Sequence, residues 1–168
     1  MINTCSEIPY ISNYLRTKKI YISPFVKVPV SIHNTLFFRQ LVDEFKNMQR
    51  VGVDIIEIDR IDAALKRFGQ RFLRHIYTES EQTLCRERPH VLAVRFAGKE
   101  AVMKALGTGI KGISWREIEI LAKPSGEPVV HLYGKAKVKA FSLGVSEFAI
   151  SLSHSREYAV ATVIAESR

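Results

Sequence analysis

Residues 51–58 read Val-Gly-Val-Asp-Ile-Ile-Glu-Ile. This run predicts a β-strand that carries an acid, Asp54, among apolar neighbours. One face of the strand is Val51, Val53 and Ile55, and the other is Gly52, Asp54 and Ile56. The apolar period then changes to three and four, which predicts a helix with a core stripe of Ile58, Ile61, Leu65, Phe68 and Phe72. A strand that leads directly into a helix is typical of a mixed domain.

The rest of the chain alternates helices and strands in the same way. A capping box at Thr78–Glu81 begins a short helix, and a longer helix is predicted from about His90 through Leu106. Strands near 118–120 and 129–133 form a hairpin around the turn at 123–126, and a Lys-bearing helix is expected over 134–143. Two more strands, 148–154 and 158–165, return beside each other. The predicted fold class is α+β, with antiparallel β-hairpins and packed helices.

The length and composition describe one ordinary globular domain. The chain has 168 residues, of which 46% are apolar, and no run reaches the roughly 18 apolar residues of a membrane span. Its two cysteines, Cys5 and Cys85, follow no metal-binding spacing. A disulfide framework is excluded, and we expect a reducing compartment, the cytoplasm, with no membrane partner.

Residues 1–47 differ from the remainder and are predicted to be an N-terminal extension, with the functional domain at 48–168. Their scattered prolines and weak periodicity suggest either translation from an upstream start or a flexible appendage, and a transit peptide is a weaker alternative. The chain carries a net charge of +8, of which +5 lies from Met48 onward. This excess suits nucleic acid, phosphorylated cofactors or acidic proteins as partners.

Two acids occupy positions where an apolar or neutral residue is more usual. Asp54 lies in the apolar strand and Glu100 lies beside an alanine stripe on the long helix. Carboxylates of this kind suit Mg²⁺, which keeps several waters and is completed by substrate phosphates. The alternative is that Asp54 faces water on an edge strand and that Glu100 forms an i,i+4 ion pair with Lys104.

Basic residues on the long helix could neutralise phosphate charge. Lys104 lies on the same side as Glu100, whereas Arg95 and Lys99 point largely the other way. Each of them could equally be part of a solvated face. Gly107 stops the helix, and no P-loop pattern accompanies it, although its backbone could still approach a ligand.

Two further groups carry possible functions. His154 ends a strand with Ser151, Ser153 and Ser155, for which a serine nucleophile is possible but turn formation is favoured. Arginines on the first helix are predicted to share one face, which suits an acidic protein at least as well as nucleic acid. They are Arg60, Arg67, Arg71 and Arg74.

Three segments stand together as a signature. They are Val51-Gly-Val-Asp-Ile-Ile-Glu-Ile-Asp-Arg-Ile61, Arg95-Phe-Ala-Gly-Lys-Glu-Ala-Val-Met-Lys-Ala-Leu-Gly-Thr-Gly109 and Ser151-Leu-Ser-His-Ser155. In this order they resemble the holo-[acyl-carrier-protein] synthase family, the small homotrimeric type of 4′-phosphopantetheinyl transferase. The strand Trp115-Arg-Glu-Ile-Glu-Ile120 and the turn Ser125-Gly-Glu-Pro128 are similar to the same family, so the resemblance covers residues 48–168.

The resemblance implies a 4′-phosphopantetheinyl transferase-like fold and a Mg²⁺-dependent enzyme of fatty acid biosynthesis. Such an enzyme moves 4′-phosphopantetheine from coenzyme A to a serine of apo acyl carrier protein and releases adenosine 3′,5′-bisphosphate. It also implies a homotrimer with sites at subunit interfaces, and no nucleic-acid partner.

The resemblance implies a role for each matching residue. Asp54 and Glu100 would bind the metal, and Glu100 and Lys104 would be catalytic, with either Glu100 or a metal-bound water as the base. The coenzyme A site would include Arg95, Lys99, Lys104, Gly107 and His154. The four arginines Arg60, Arg67, Arg71 and Arg74 would bind the carrier protein. A non-catalytic nucleic-acid-binding module and a metal-dependent nucleotide hydrolase remain the alternatives.

Overall fold

The computed structural model describes residues 49–109 and 112–167. The predicted extension at 1–47 lies outside these residues. Five strands are described: β1 (Gln49–Glu57), β2 (Ile118–Ala122), β3 (Pro128–Leu132), β4 (Val145–His154) and β5 (Tyr158–Ser167). The α-helices are α1 (Ile58–Phe68), α2 (Gln70–Ile76), α3 (Glu79–Cys85), α4 (Pro89–Ala105) and α5 (Gly134–Ser142), and a 3₁₀ turn covers Trp115–Glu117.

The strands form two antiparallel sheets. A three-stranded sheet has the order β1-β5-β4, and β2 pairs with β3 in a separate hairpin. The hairpin between β4 and β5 turns at Ser155, whose Oγ accepts the N–H groups of Glu157 and Tyr158 at 3.3 and 3.1 Å. The predicted α+β class is confirmed, and Ser155 is a turn-forming serine.

Helix α4 is the centre of the domain. The alanine stripe of this helix, Ala93, Ala97, Ala101 and Ala105, is buried. Gly52 of β1 lies against this stripe so closely that a Cβ there would be 1.9 Å from the Ala101 carbonyl oxygen. Since atoms at that distance overlap, the close contact between β1 and α4 requires glycine at position 52.

Both predicted signals at helix ends are present. Thr78 caps α3 through a capping box with Glu81. At the end of α4, the N–H of Gly107 donates to the Lys104 carbonyl and the N–H of Thr108 to the Met103 carbonyl. These two bonds are a Schellman motif, and the positive φ of +67° at Gly107 suits it.

The prediction of one continuous helix from Ile58 to Phe72 is wrong. The helix breaks at Gly69, which has φ +51° and ψ −132° and donates its N–H to the Leu65 carbonyl. Phe68, the last residue of α1, is 50% exposed, and Phe72 on α2 packs edge-on against Tyr77. Across the described part of the chain, no helix combines the length and apolarity that a bilayer crossing requires.

Candidate active site

Asp54 faces helix α4 and not the solvent. It is on the same face of β1 as Gly52 and Ile56, which are both buried, and its own side chain is only 15% exposed. Lys104 of α4 donates from Nζ to Asp54 Oδ1 and to the Val53 carbonyl, both at 2.8 Å. β1 is an edge strand, as the alternative interpretation had it, but Asp54 is turned inward from that edge.

Glu100 lies one helical turn before Lys104. Burial raises the pKa of the Glu100 carboxyl, the charge of Asp54 raises it further, and Lys104 opposes these effects more weakly. The two carboxylates are therefore close enough to repel each other. The ion pair that Lys104 forms is with Asp54, so the alternative of a simple Glu100–Lys104 pair does not describe this group.

Two neighbouring carboxylates fit a hard divalent cation. Among residues 49–109 and 112–167, no group of three or more His, Cys, Asp or Glu residues could hold a metal ion. An ion at Asp54 and Glu100 would thus take its other oxygens from water or substrate, which is the usual arrangement for Mg²⁺ with phosphates. The mutual repulsion of the acids is also relieved by a cation between them.

Arg95 and His154 line a cavity of about 330 Å³, which is the second candidate binding region. Its walls are otherwise mostly apolar and come from α4, β4 and the hairpin, with Val91, Val94, Pro128, Ile150 and Leu152 among them. Within the described chain, Arg95 Nε is buried without a hydrogen-bond partner. A buried guanidinium donor beside a cavity is suited to an anionic ligand.

His90 is a residue of this region that the sequence analysis did not assign. Its ring stacks on that of His154 at 5.2 Å between centroids, and both rings line an adjoining cavity of about 450 Å³ with Asp59, Asp62 and Arg156. In the sequence, His90 marked only the start of a helix. Its separation from His154 by more than sixty positions left no local signal.

The acid group and the Arg95 cavity lie on different sides of α4. Five residues separate Arg95 from Glu100, a rotation of about 140° around the helix. Asp54 and His154 belong to the two outer strands of one sheet, with β5 between them, which places them roughly 10 Å or more apart. A single protomer therefore does not bring all the predicted site residues together. The helical spacing in the sequence also places Arg95 and Glu100 on different sides of α4.

Lys99 does not reach either group, and its assignment to the coenzyme A site is corrected. Its side chain is fully buried and its Nζ lies 2.8 Å from Glu81 Oε2, which is also fully buried. The same Nζ donates to the carbonyls of Trp115 and Ile118. Burial lowers the pKa of Lys99, against the opposing charge of Glu81. Lys99 is a structural residue between α4, α3 and β2.

Gly107 is exposed and belongs to the helix stop. The N–H groups of Gly107 and Thr108 are already used in the Schellman motif, so the prediction that backbone amides of this loop bind a ligand does not hold for these two. Gly107 could therefore contact coenzyme A through its exposed surface and not through its N–H group.

The break at Gly69 separates the four arginines into two pairs, one on α1 and one on α2. On α1, Arg60 pairs with Glu57 at 3.3 Å, and the Arg67 guanidinium lies 5.0 Å from the centre of the Phe68 ring. On α2, Arg71 and Arg74 line a cavity of about 570 Å³ together with Phe68, Phe72 and His75. The structure thus places two arginines beside exposed aromatic surface.

This geometry defines a class of protein. Paired carboxylates beside a lysine are suited to a divalent cation and a phosphate, and a separate cavity offers a buried arginine for a second anionic group. The chain therefore has residues suited to a divalent cation and a phosphorylated ligand, as in enzymes that transfer phosphate groups.

Comparison with known proteins gives the family. The sequence profile of the 4′-phosphopantetheinyl transferase superfamily matches residues 50–163. A holo-[acyl-carrier-protein] synthase of Dehalococcoides mccartyi is 53% identical over 119 residues, which are 71% of this chain and 99% of that protein. The chain belongs to the 4′-phosphopantetheinyl transferase superfamily.

Solved structures agree with this assignment. The crystal structure of Helicobacter pylori holo-[acyl-carrier-protein] synthase in complex with coenzyme A has a TM-score of 0.64 and 35% identity. The match covers 69% of this chain and 99% of that one. The corresponding enzyme of Neisseria meningitidis gives a TM-score of 0.65 and 34% identity over 70% of this chain and 98% of its own. The predicted fold is confirmed.

Proposed function

We propose that this chain transfers 4′-phosphopantetheine from coenzyme A to a serine hydroxyl of apo acyl carrier protein. The observation that carries the proposal is the juxtaposition of Asp54, Glu100 and Lys104 within a chain of this superfamily. Relatives named holo-[acyl-carrier-protein] synthase support it, as does the coenzyme A in one of the matching crystal structures.

The reaction replaces a phosphoanhydride bond of the coenzyme A pyrophosphate with a phosphodiester bond to serine. The serine oxygen forms a bond to the phosphorus that carries pantetheine, and the bond from that phosphorus to adenosine 3′,5′-bisphosphate breaks. When bound, Mg²⁺ would supply positive charge to the pyrophosphate. Asp54 and Glu100 would hold it, and the half-exposed ammonium of Lys104 would offset charge on the leaving phosphate.

The serine proton requires an acceptor close to the reacting phosphorus. Either Glu100 or a water bound to the metal would accept this proton, since both would lie beside the reacting phosphorus. The Arg95 guanidinium and the His154 ring would hold the adenosine bisphosphate end of coenzyme A in their cavity.

The carrier protein is proposed to dock on the surface formed by α1 and α2. Its acidic side chains would meet Arg71 and Arg74, and its apolar residues would cover the exposed ring of Phe68. Arg67 adjoins this surface through Phe68. Arg60, which already pairs with Glu57, is expected to contribute less.

We propose a homotrimer, as the family resemblance implies, and an apolar outer face of β1 and β5 supports association between copies. Val51, Val53 and Ile55 of β1 are 60%, 49% and 62% exposed. They lie opposite Ile164, Thr162 and Val160 of β5. Burying this face against a second copy would cover apolar surface. It would also let the acids of one protomer and the Arg95 cavity of another form one site, which a single protomer does not provide.

The proposed location is the cytoplasm, and the proposed process is fatty acid biosynthesis. The thiol of Cys85 is free and buried, which suits a reducing compartment. The transfer would supply that process with holo acyl carrier protein.

Intact-mass spectrometry of the carrier protein tests the proposal. Apo acyl carrier protein incubated with the enzyme, Mg²⁺ and coenzyme A should gain the mass of one 4′-phosphopantetheine group. A carrier whose acceptor serine is replaced by alanine is the matched control and should gain nothing. Absence of a mass gain would overturn the proposal. Salt-sensitive binding of nucleic acid, or release of phosphate from nucleotides, would then favour the corresponding alternative.

A further inference from the structure

We propose that the buried Glu81–Lys99 ion pair positions Glu100 for metal binding, so that both are positioning residues of the active site. The inference rests on the proposed function, because it concerns how the metal-binding acid is held. Neither residue touches substrate in this account. Their effect passes through the backbone that Lys99 shares with Glu100.

The first observation is how completely Lys99 is fixed. Its side chain and that of Glu81 are both fully buried, with Nζ and Oε2 at 2.8 Å. The ammonium also donates to the carbonyls of Trp115 and Ile118, and it lies 5.8 Å from the centre of the Tyr77 ring. A long side chain restrained at this many points leaves little rotational freedom to its backbone.

The second observation is that Glu81 is equally fixed from the other side. Its Oε1 accepts the N–H of Ile120 and its Oε2 accepts the N–H of Thr78, both at 2.9 Å. The pair therefore connects the start of α3, strand β2 and the middle of α4. Of these three elements, α4 also packs against β1, where Gly52 meets Ala101.

The third observation is that Glu100 must lie beside Asp54, a residue of β1, if the two acids are to bind one metal ion. Successive residues of a helix differ by about 100° in direction, so the direction in which Lys99 is held fixes the side on which Glu100 emerges. A small rotation of α4 would turn the Glu100 carboxylate away from Asp54. The contact of Gly52 with Ala101 restrains α4 from the β1 side, and the ion pair restrains it from the opposite side.

Stability alone does not account for such a pair. A buried ion pair is often no more stabilising than apolar residues of similar volume, and its best supported role is to select one arrangement among similar packings. The arrangement selected here is the rotational setting of α4 that brings Glu100 beside Asp54.

The test compares metal affinity with stability in the full chain. The main variant is the double substitution Glu81→Gln with Lys99→Met, which removes both charges and keeps the approximate volumes. The single substitution Glu81→Gln is the second variant, in case the double variant does not fold. Leu73→Ala is the matched control, because Leu73 is buried in α2 and its truncation destabilises the core without touching the pair.

Binding of Mn²⁺ in the presence of saturating coenzyme A is measured by the loss of the free Mn²⁺ signal in electron paramagnetic resonance. Thermal unfolding is followed for each variant. We expect the Kd for Mn²⁺ to rise about tenfold in the double variant. A rise at least as large is expected for Glu81→Gln alone, because it leaves the Lys99 ammonium buried without its partner charge, and no change is expected for Leu73→Ala.

Two outcomes would overturn the inference. One is a folded pair variant that binds Mn²⁺ as wild type does, and the other is a Leu73→Ala variant that loses as much affinity as the pair variant. Failure of the wild-type protein to bind Mn²⁺ would instead overturn the metal site itself and with it the positioning role. A wild-type protein that binds Mn²⁺ but transfers no phosphopantetheine would overturn the proposed reaction and leave the metal site in place.

Discussion

The ionised carboxylate of Glu100 lowers the free energy of unfolding, and its proposed role in metal binding explains why an acid is present at this position. Burial and the charge of Asp54 raise its pKa above the ordinary value of 4.5. Below pH 4.5 the carboxyl is protonated whether the chain is folded or not, so no cost arises. As the pH rises through the pKa of the folded state, Glu100 ionises beside Asp54 and the folded state loses stability.

The substitution Glu100→Gln should therefore stabilise the protein while it abolishes transfer. In metal-free buffer at pH 7 we expect Tm to rise relative to wild type, and the difference should vanish as the pH falls below 4.5. Added Mg²⁺ should raise the Tm of the wild type alone, since a ligand that binds only the folded state stabilises it. A lower Tm for Glu100→Gln at pH 7, measured by calorimetry, would contradict the repulsion.

At the scale of single residues, the sequence identified candidate side chains by their chemical type, but it did not show which residues would surround them in the fold. Asp54 and Glu100 were singled out because carboxylates are unusual at those positions, and both face the same place. Lys99 was placed in the coenzyme A site by resemblance, whereas its buried partner Glu81 is eighteen positions away. Pairing between distant charged residues depends on packing that a one-dimensional pattern does not contain.

At the scale of elements, the junction of β1 with α4 depends on one glycine. A Cβ at position 52 would meet the Ala101 carbonyl oxygen at 1.9 Å and the Ala105 nitrogen at 2.9 Å. Both are backbone atoms and cannot rotate away. Gly52→Ala should therefore cost about 3 kcal/mol of stability and should reduce transfer further by displacing Asp54. Urea unfolding measures the first effect and initial rates the second.

Gln49→Ala, an exposed change on the same strand, is the control for Gly52→Ala. It should alter neither the stability nor the rate. If Gly52→Ala unfolds at the same urea concentration as Gln49→Ala, the close approach of β1 and α4 is not as described.

The Arg71 surface predicts a selective effect on the carrier protein. Arg71→Glu should raise the KM for carrier several-fold at low salt and leave the KM for coenzyme A unchanged. The effect should weaken as ionic strength rises, because exposed charges act mainly through association and are screened. Lys135→Glu reverses an exposed charge on α5 and should change neither constant. Equal carrier KM values for Arg71→Glu and wild type would exclude this docking surface.

The helix break at Gly69 is a feature that the apolar spacing of the sequence did not predict. The apolar spacing from Ile58 to Phe72 satisfied one long helix, and the capping box at Thr78 was recognised correctly. Gly69 takes a positive φ, and the break regroups the arginines. A glycine within a helical pattern is tolerated often enough that the sequence alone does not say where the helix bends.

At the scale of the whole molecule, the apolar outer face of β1 and β5 predicts self-association, and the family resemblance implies that three copies associate. Light scattering after size-exclusion chromatography should give three copies for the wild type. Val53→Asp places a charge in the exposed β1 face and should produce single copies with little activity. Val138→Asp adds the same charge at another exposed apolar site, on α5, and should leave the trimer intact. A fully active wild-type monomer would contradict the shared site.

The central claim is that Asp54 and Glu100 together hold the metal that transfer requires. The measurement is the rate at which apo carrier protein gains the mass of 4′-phosphopantetheine, followed against Mg²⁺ concentration for wild type, Asp54→Asn and Glu100→Gln. The account predicts a wild-type rate that vanishes when a chelator removes Mg²⁺. Both variants should be folded by circular dichroism and slower by about 100-fold or more. A wild-type rate in either variant at the same Mg²⁺ concentration would contradict the claim.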